Sequence, residues 1–202
     1  MFVSLSLLAA FIESVVGYPN FVFRAIGHPV TWIARVITWA DKAWNSDEDS
    51  EVQQRMQGVA LLLFLVGGSL VAGLVVTRVL YLLLPSVLAF VICAVVASSL
   101  LAQRSLESHV IAVADALDAR GLAAGRQAVA MIVGRDTAEL DEAGVSRAAI
   151  ESLAESFSDG VVAPLFWLVI GGLPASLAYK AINTADSMIG HKTPRYLHFG
   201  WA

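Results

Sequence analysis

Two long uncharged runs dominate the chain. Residues 58–77 (GVALLLFLVGGSLVAGLVVT) and 79–102 (VLYLLLPSVLAFVICAVVASSLLA) contain no Asp, Glu, Lys or Arg, and about 20 helical residues rising ~1.5 Å each cover a hydrocarbon core of roughly 30 Å. Both predict membrane spans. Only Arg78 parts them, which predicts an antiparallel hairpin whose backbones pack closely through Gly67, Gly68, Ser69, Ala72 and Gly73, with Pro85 kinking the second span. The first 17 residues are apolar except for a few polar positions, Glu13 above all. With no basic stretch before the run and no clear cleavage pattern after it, a retained span is predicted rather than a signal peptide. Glu13 has two readings: a functional carboxylate within the bilayer, or one at headgroup level just before Gly17, Tyr18 and Pro19. Residues 161–179 (VVAPLFWLVIGGLPASLAY) are uncharged too, yet Gly171, Gly172 and Pro174 interrupt them with the residue types that break helices. That segment is either one kinked span or a re-entrant helical hairpin, whose irregular backbone must be covered by protein.

The segments between these runs have helical periodicity without the apolar length to span. Over 30–44, Ile33, Val36, Ile37, Ala40 and Trp44 share one face and Arg35, Asp41 and Lys42 lie off it, predicting an interfacial helix whose Trp32 and Trp39 suit the headgroup boundary. Over 103–160, Leu106, Val110, Val113 and Leu117 recur at helical spacing, predicting an amphipathic helix docked on an apolar partner. Asp136 and Glu139 fit a helix start, and a last helix over 147–158 places Ile150, Leu153, Ala154 and Phe157 on one buried stripe. The predicted fold is therefore all-α and polytopic: about three transmembrane helices (1–17, 58–77, 79–102), a broken or re-entrant hairpin at 161–179, and cytoplasmic amphipathic helices, all in one membrane-embedded domain, 1–202.

Composition agrees with lipid as the solvent. The chain of 202 residues is 57% apolar and 15% charged, with a mean hydropathy of +0.71, whereas a soluble domain carries about 25% charged residues. A net charge of −4 and a pI near 5.5 argue against an electrostatic grip on nucleic acid. The lone cysteine, Cys93, excludes an internal disulfide or a thiolate metal cluster and reads as a small buried apolar residue. Basic residues fall in 18–57 (Arg24, Arg35, Lys42, Arg55) and 103–160 (Arg104, Arg120, Arg126, Arg135, Arg147), with Arg78 alone at the opposite turn. This bias predicts a multi-pass cell-membrane protein with both polar segments in the cytoplasm.

Candidate chemistry lies near the end of the second polar segment. Glu151 and Glu155 are four residues apart and Asp159 continues their row, so the three carboxylates project together. Such a set repels itself unless a cation lies among them, and its oxygen ligands suit Mg²⁺ held through water and substrate phosphates. An ordinary wet helix face is the alternative. Arg135 suits bidentate pairing with phosphate or carboxylate. Asn183 and Asp186 share a helical face with Ser187, and His28 and His191 are candidate proton carriers or phosphate donors. No GxxxxGK[ST] loop, HExxH, CxxC or nucleophile elbow occurs, which argues against a P-loop nucleotide site, a zinc protease and a serine acyl enzyme.

Five blocks taken in order, Gly27-His28-Pro29-Val30, Met131-Ile132-Val133-Gly134-Arg135-Asp136-Thr137, Glu151-Ser152-Leu153-Ala154-Glu155, Ser158-Asp159-Gly160-Val161-Val162-Ala163-Pro164-Leu165-Phe166 and 179–192 (YKAINTADSMIGHK), resemble the cobalamin-biosynthesis amide synthase family CobD/CbiB. The resemblance runs from the first span to the last residues. It implies an integral membrane enzyme that joins the free propionate carboxyl of adenosylcobyric acid to the amine of (R)-1-aminopropan-2-ol or its O-phosphate. ATP and Mg²⁺ are the implied cofactors and a corrinoid the substrate, with a second copy or another pathway protein as a further partner. It also implies a catalytic set of Arg135, Asp136, Glu151, Glu155, Asp159 and His191, with Glu151, Glu155 and Asp159 as metal ligands. His28, Thr137, Asn183, Thr184, Asp186 and Ser187 are implied on the substrate. The chain departs from the family pattern at Tyr18, Ala34 and Ser156, and relatives are expected to continue beyond Ala202. A non-catalytic membrane subunit or scaffold of the corrinoid pathway therefore stays open, as does a transporter, suggested by Glu13 and the broken helix.

Overall fold

The computed structural model describes all 202 residues, and every regular element in it is helical. Helix α1 (Phe2–Val16) ends at Gly17, whose φ of 64° only glycine adopts freely. The chain there bends by 105° into α2 (Asn20–Ile26) and α3 (Pro29–Trp44). His28 starts α3: its Nδ1 accepts the Val30 N–H at 3.2 Å, while Thr31 Oγ1 accepts the His28 N–H at 3.1 Å. Pro29, with no N–H to satisfy, fits the first helical position. As the periodicity predicts, α3 buries Ile37 and Ala40, packs Ile33, Val36 and Trp44 beside them, and leaves Trp32 and Trp39 exposed.

Helix α4 (Glu51–Leu83) is capped by Ser50, whose hydroxyl accepts the Gln53 N–H. Arg78 lies inside this helix and does not mark its end. The turn falls at Leu84 and Pro85, because proline disfavours helical geometry in the residue before it and Leu84 is extended (φ −124°, ψ 153°). Pro85 thus precedes α5 (Ser86–Ser98) rather than kinking a longer helix. With 13 residues, α5 is ~20 Å long, shorter than the span expected over 79–102.

The small face of α4 also has a different partner. Gly58, Leu61, Leu65, Ser69 and Gly73 form its buried side, and Leu61 and Leu65 pack on Ala181, Ala185 and Ile189 near the other end of the chain. A Cβ on Gly73 would lie 2.5 Å from Pro174 Cα, whereas Gly67 and Gly68 have nothing within 4 Å. The expected close packing of α4 on α5 is replaced by packing on the segment that follows 161.

That segment is a helical hairpin. Helix α8 (Glu142–Phe157) runs through one wide π-type turn (Ser158–Val162) into α9 (Ala163–Ile189). By length and composition, 142–189 counts as one 48-residue helix with an apolar stretch long enough to span, but it is not straight. Ser176 Oγ donates to the Pro164 carbonyl at 3.1 Å across 12 residues, and Asn183 Nδ2 donates to Asp159 Oδ2 at 3.2 Å across 24. A straight helix would hold those pairs ~18 Å and ~36 Å apart. The reversal is at Gly172 (φ 65°, ψ −160°), a conformation essentially reserved for glycine. Of the two forms open to 161–179, the backbone takes the folded-back one, with arms 163–171 and 173–189.

The apex is covered on its sides. Leu168 and Leu173 join Leu5, Ala9, Cys93 and Ala97 in one buried cluster, and a Cβ on Gly172 would approach Phe2 Cε1 to 2.9 Å. Pro174 sits in the first turn of the second arm, where its missing N–H would have no intrahelical partner in any case.

The polar segments gather at the opposite end from this apex. Arg195 pairs with Asp41 at 3.1 Å and Asn45 Nδ2 donates to the Arg195 carbonyl at 3.1 Å, while Met1, Arg78 and Gly171 share a pocket at the apex end. At the polar end α6 (Gln103–Arg120), α7 (Leu122–Val129) and α8 enclose Val113, Val129, Val145, Ala148 and Ala149. Two expectations shift here. Asp141 rather than Asp136 caps α8, accepting the Gly144 N–H at 2.6 Å; Asp136 instead accepts the Ala138 N–H at 2.9 Å in its own turn. Because α8 meets α6 and α7 through Val145, Ala148 and Ala149, the predicted stripe is left open, with Ile150 and Phe157 exposed in a groove beside Leu106, Val110 and Ile111.

Length and composition give three runs able to cross a membrane, or up to four if the bent α1 to α3 pair counts as one. With the helical hairpin, this is the polytopic all-α membrane fold. Gly172→Ala is predicted to lower the thermal midpoint in detergent through ~1–3 kcal/mol of backbone strain, while Gly67→Ala stays within about 0.5 kcal/mol. Equal midpoints would contradict the reversal. Cysteines replacing Glu139 and Leu197 are expected to react with an impermeant maleimide from the same side of sealed vesicles; opposite-side labelling would break the arrangement.

Candidate functional site

The first polar grouping lies on α8. Arg135 donates to Glu151 Oε2 at 2.8 Å, with both side chains more than half exposed, so the pair adds at most about 1 kcal/mol to stability and is easily exchanged for another anion. Ser152 fixes the loop that carries Arg135, its Oγ donating to the Ile132 carbonyl at 2.6 Å. Gly134, Arg135, Glu151, Ser152 and Glu155 line an open cleft of about 300 Å³. Glu155 has no hydrogen-bonding or ionic partner there.

The second grouping is made by the hairpin. The wide turn after α8 presents Asp159 to the returning arm, where Asn183 donates to its carboxylate at 3.2 Å and Tyr179 donates to its backbone carbonyl at 3.4 Å. Asn183 faces the Asp159 turn and is half-buried, while Asp186 and Ser187, on the next turn of that arm, are exposed.

Several expected site residues are placed elsewhere. Thr137 is buried with its hydroxyl donating to the Arg126 carbonyl at 3.2 Å, and Thr184 is buried with its hydroxyl on the Lys180 carbonyl at 2.7 Å. Both brace backbone. Ser187 Oγ donates to the Asn183 carbonyl at 2.9 Å, and His191 is exposed with a ring nitrogen 3.0 Å from the Ser187 carbonyl. Asp186 borders a small apolar crevice beside Gly58 and Phe199. No three Asp, Glu, His or Cys side chains converge closely enough to hold a metal ion by themselves. The donor set fits only an ion that keeps most of its waters and arrives with phosphates, as Mg²⁺ does; of the three expected ligands, Glu151 is paired with Arg135 whereas Glu155 and Asp159 form no ion pair.

The third grouping was not legible as a set. Glu13 is buried, and its two oxygens accept the Arg104 N–H at 3.1 and 3.2 Å. It supplies the cap that α6 lacks from its own N-cap residue, Ala102. Arg104 reciprocates, donating to the Val15 carbonyl at 2.6 Å at the end of α1. This exchange of helix ends gives Glu13 a capping role at the junction of α1 and α6. Beside it a cavity of about 630 Å³ is bordered by His28, Ser99, Arg104, Ser105 and Lys180. His28 lies edge-on to Tyr18 with ring centroids 4.5 Å apart. Burial holds its imidazole below the ordinary range and the Lys180 charge acts in the same direction, against the Ser99 backbone. The ring is therefore neutral at pH 7, accepting through Nδ1 and carrying its proton on Nε2. The sequence signal for Lys180 was its place as the first charge after the uncharged run 161–179.

This architecture defines an all-helical, polytopic membrane protein with polar residues assembled where a helical hairpin returns to its base. The model of the CobD/Cbib protein family matches residues 6–202, and the chain belongs to that family. It is 50% identical over 195 residues to the cobalamin biosynthesis protein CobD of Sinorhizobium fredii, covering 96% of this chain and 59% of that protein. It is 48% identical over 201 residues to the protein of that name from Rhodobacter capsulatus, covering 100% of this chain and 62% of the relative. The Brucella suis protein is 47% identical over 195 residues, covering 96% and 58%. The chain thus spans about three fifths of the length of these relatives. No solved structure matches it.

Glu13→Leu is predicted to remove the α6 cap and cost about 1 kcal/mol of stability, read as a lower thermal midpoint; an unchanged midpoint would exclude the capping role.

Proposed function

We propose that the chain contributes to the amide-forming step of cobalamin biosynthesis, in which the free propionate carboxyl of adenosylcobyric acid is joined to the amine of (R)-1-aminopropan-2-ol or its O-phosphate. The product is adenosylcobinamide or its phosphate. The observation that most supports this reading is the return of the hairpin, which sets Asp159 against Asn183 in a chain of this family, one helical turn beyond Glu155.

Condensing a carboxylate with an amine is uphill in water, so the carboxylate oxygen must first become a leaving group, and ATP supplies that activation. Arg135 is suited to the transferred phosphate because its guanidinium forms two parallel hydrogen bonds and its present partner, Glu151, is exposed and exchangeable. Glu155 and Asp159 would hold the hydrated Mg²⁺ that accompanies the nucleotide and offset its phosphate charge. Asn183 fixes the Asp159 carboxylate, so its orientation is set before substrate arrives. The amine attacks as the free base, and its proton leaves through a solvent-facing acceptor, for which exposed His191 is suited. The site belongs to the cytoplasmic face of the membrane, the side the basic residues favour, where ATP is available.

In membranes carrying this chain, supplied with adenosylcobyric acid, the amine or its O-phosphate, ATP and Mg²⁺, a product of the corresponding amide mass is expected. Asp159→Asn and Arg135→Ala are each predicted to reduce its formation by ~10²-fold or more without altering membrane insertion. Undiminished turnover in both variants would remove this assignment.

A further inference from the structure

The cavity at the base of α1 and α6 contains a cation without an ion-pair partner. Lys180 is half-buried and enters none of the chain's ion pairs. Asp159 is the carboxylate whose charge reaches it, from beyond ion-pair distance and already engaged by Asn183. The carboxylate lining the cavity itself, Glu13, is occupied at the α6 N-terminus. Holding an ammonium partly out of water with no partner is costly, and an incoming anion removes that cost.

The surrounding wall suits the same ligand. His28 uses Nδ1 as the acceptor for the Val30 N–H, and its remaining N–H is engaged by the Ser99 backbone, so the ring shapes the wall and does not supply a free donor. Ser105 stands on the cavity wall with a hydroxyl that donates to no acceptor. Arg104 adds a fixed positive charge on the wall while its guanidinium holds α1. The volume of about 630 Å³ is that of a small-molecule site and exceeds what a bare inorganic anion needs.

From these features we infer that this cavity is an anion subsite for a small phosphate-bearing molecule, with Lys180 as its charge anchor and Ser105 as a neutral donor. It is separate from the Arg135 cleft, and its binding does not depend on the amide-forming reaction. The phosphate has two available sources: a soluble phosphomonoester entering from the aqueous face, or the headgroup of an anionic lipid.

The test uses the purified chain in phosphatidylcholine nanodiscs, titrated with glycerol 3-phosphate by calorimetry. Saturable binding is expected, weakened by about tenfold or more in Lys180→Met, as loss of a hydrogen-bonded charge implies. Lys180→Arg is expected to restore much of it, and Lys42→Met to leave it unchanged. Ser105→Asp, on an exposed wall position, places a carboxylate against the lysine and is expected to abolish binding without depending on how Lys180→Met folds. Nanodiscs of phosphatidylglycerol distinguish the sources: suppression of glycerol 3-phosphate binding there, with a Lys180-dependent rise in thermal midpoint, identifies a lipid headgroup, and unchanged binding identifies a soluble ligand. Absence of saturable binding in the wild type together with no lipid-dependent midpoint shift, or equal binding in wild type and Ser105→Asp, would overturn the inference.

Discussion

Everything at the polar end depends on one backbone reversal inside an apolar helix. Gly172 takes a conformation that side chains disfavour, and the two arms that result run back to a common base. Within a bilayer such a break leaves backbone groups that lipid cannot satisfy, so the fold must cover it with protein. Phe2 of α1 and Gly73 of α4 do so at contact distance, and Leu168 and Leu173 bury the flanks against α1 and α5. The same constraint accounts for the absence of a side chain at Gly73, where a Cβ would meet the Pro174 backbone.

At the base, polar groups are held in place by exchanges between elements distant in sequence. Asp159 meets Asn183 across the hairpin, Arg135 meets Glu151 across the loop before α8, and Glu13 and Arg104 each satisfy the other's helix end. The two ends of the molecule therefore differ in kind. The apex is closed by small residues and apolar contacts, whereas the base has open clefts, exchangeable ion pairs and an unpaired lysine.

The membrane character and most helices were legible because apolar length and 3.6-residue periodicity act locally. The buried face of α3 follows directly from Ile33, Val36, Ile37, Ala40 and Trp44. Pairing partners were less legible. Gly67 and Gly68 suggested a close helix contact by composition alone, but only Ser69 and Gly73 lie on the side that faces α9. The turn assigned to Arg78 lies at Pro85, since an arginine can remain helical and a proline restricts its predecessor. On α8 the Ile150 stripe was apolar enough to be core, yet docking through the smaller Val145 and Ala148 face won. Of the site, the carboxylate row and Asn183 could be found by spacing. Lys180 could not, because its meaning comes from the α1, α3 and α6 residues brought around it by tertiary contacts.

The central claim is that 163–189 doubles back, and a distance between its arms tests it most directly. Spin labels on cysteines replacing the exposed residues Val162 and Ile182, in a Cys93→Ala background reconstituted in lipid, report that distance by double electron–electron resonance. The folded-back arms predict a narrow distribution below about 20 Å, whereas a continuous helix over those 20 positions predicts ~30 Å. A population centred at the longer value would contradict the hairpin and the meeting of Asp159 with Asn183.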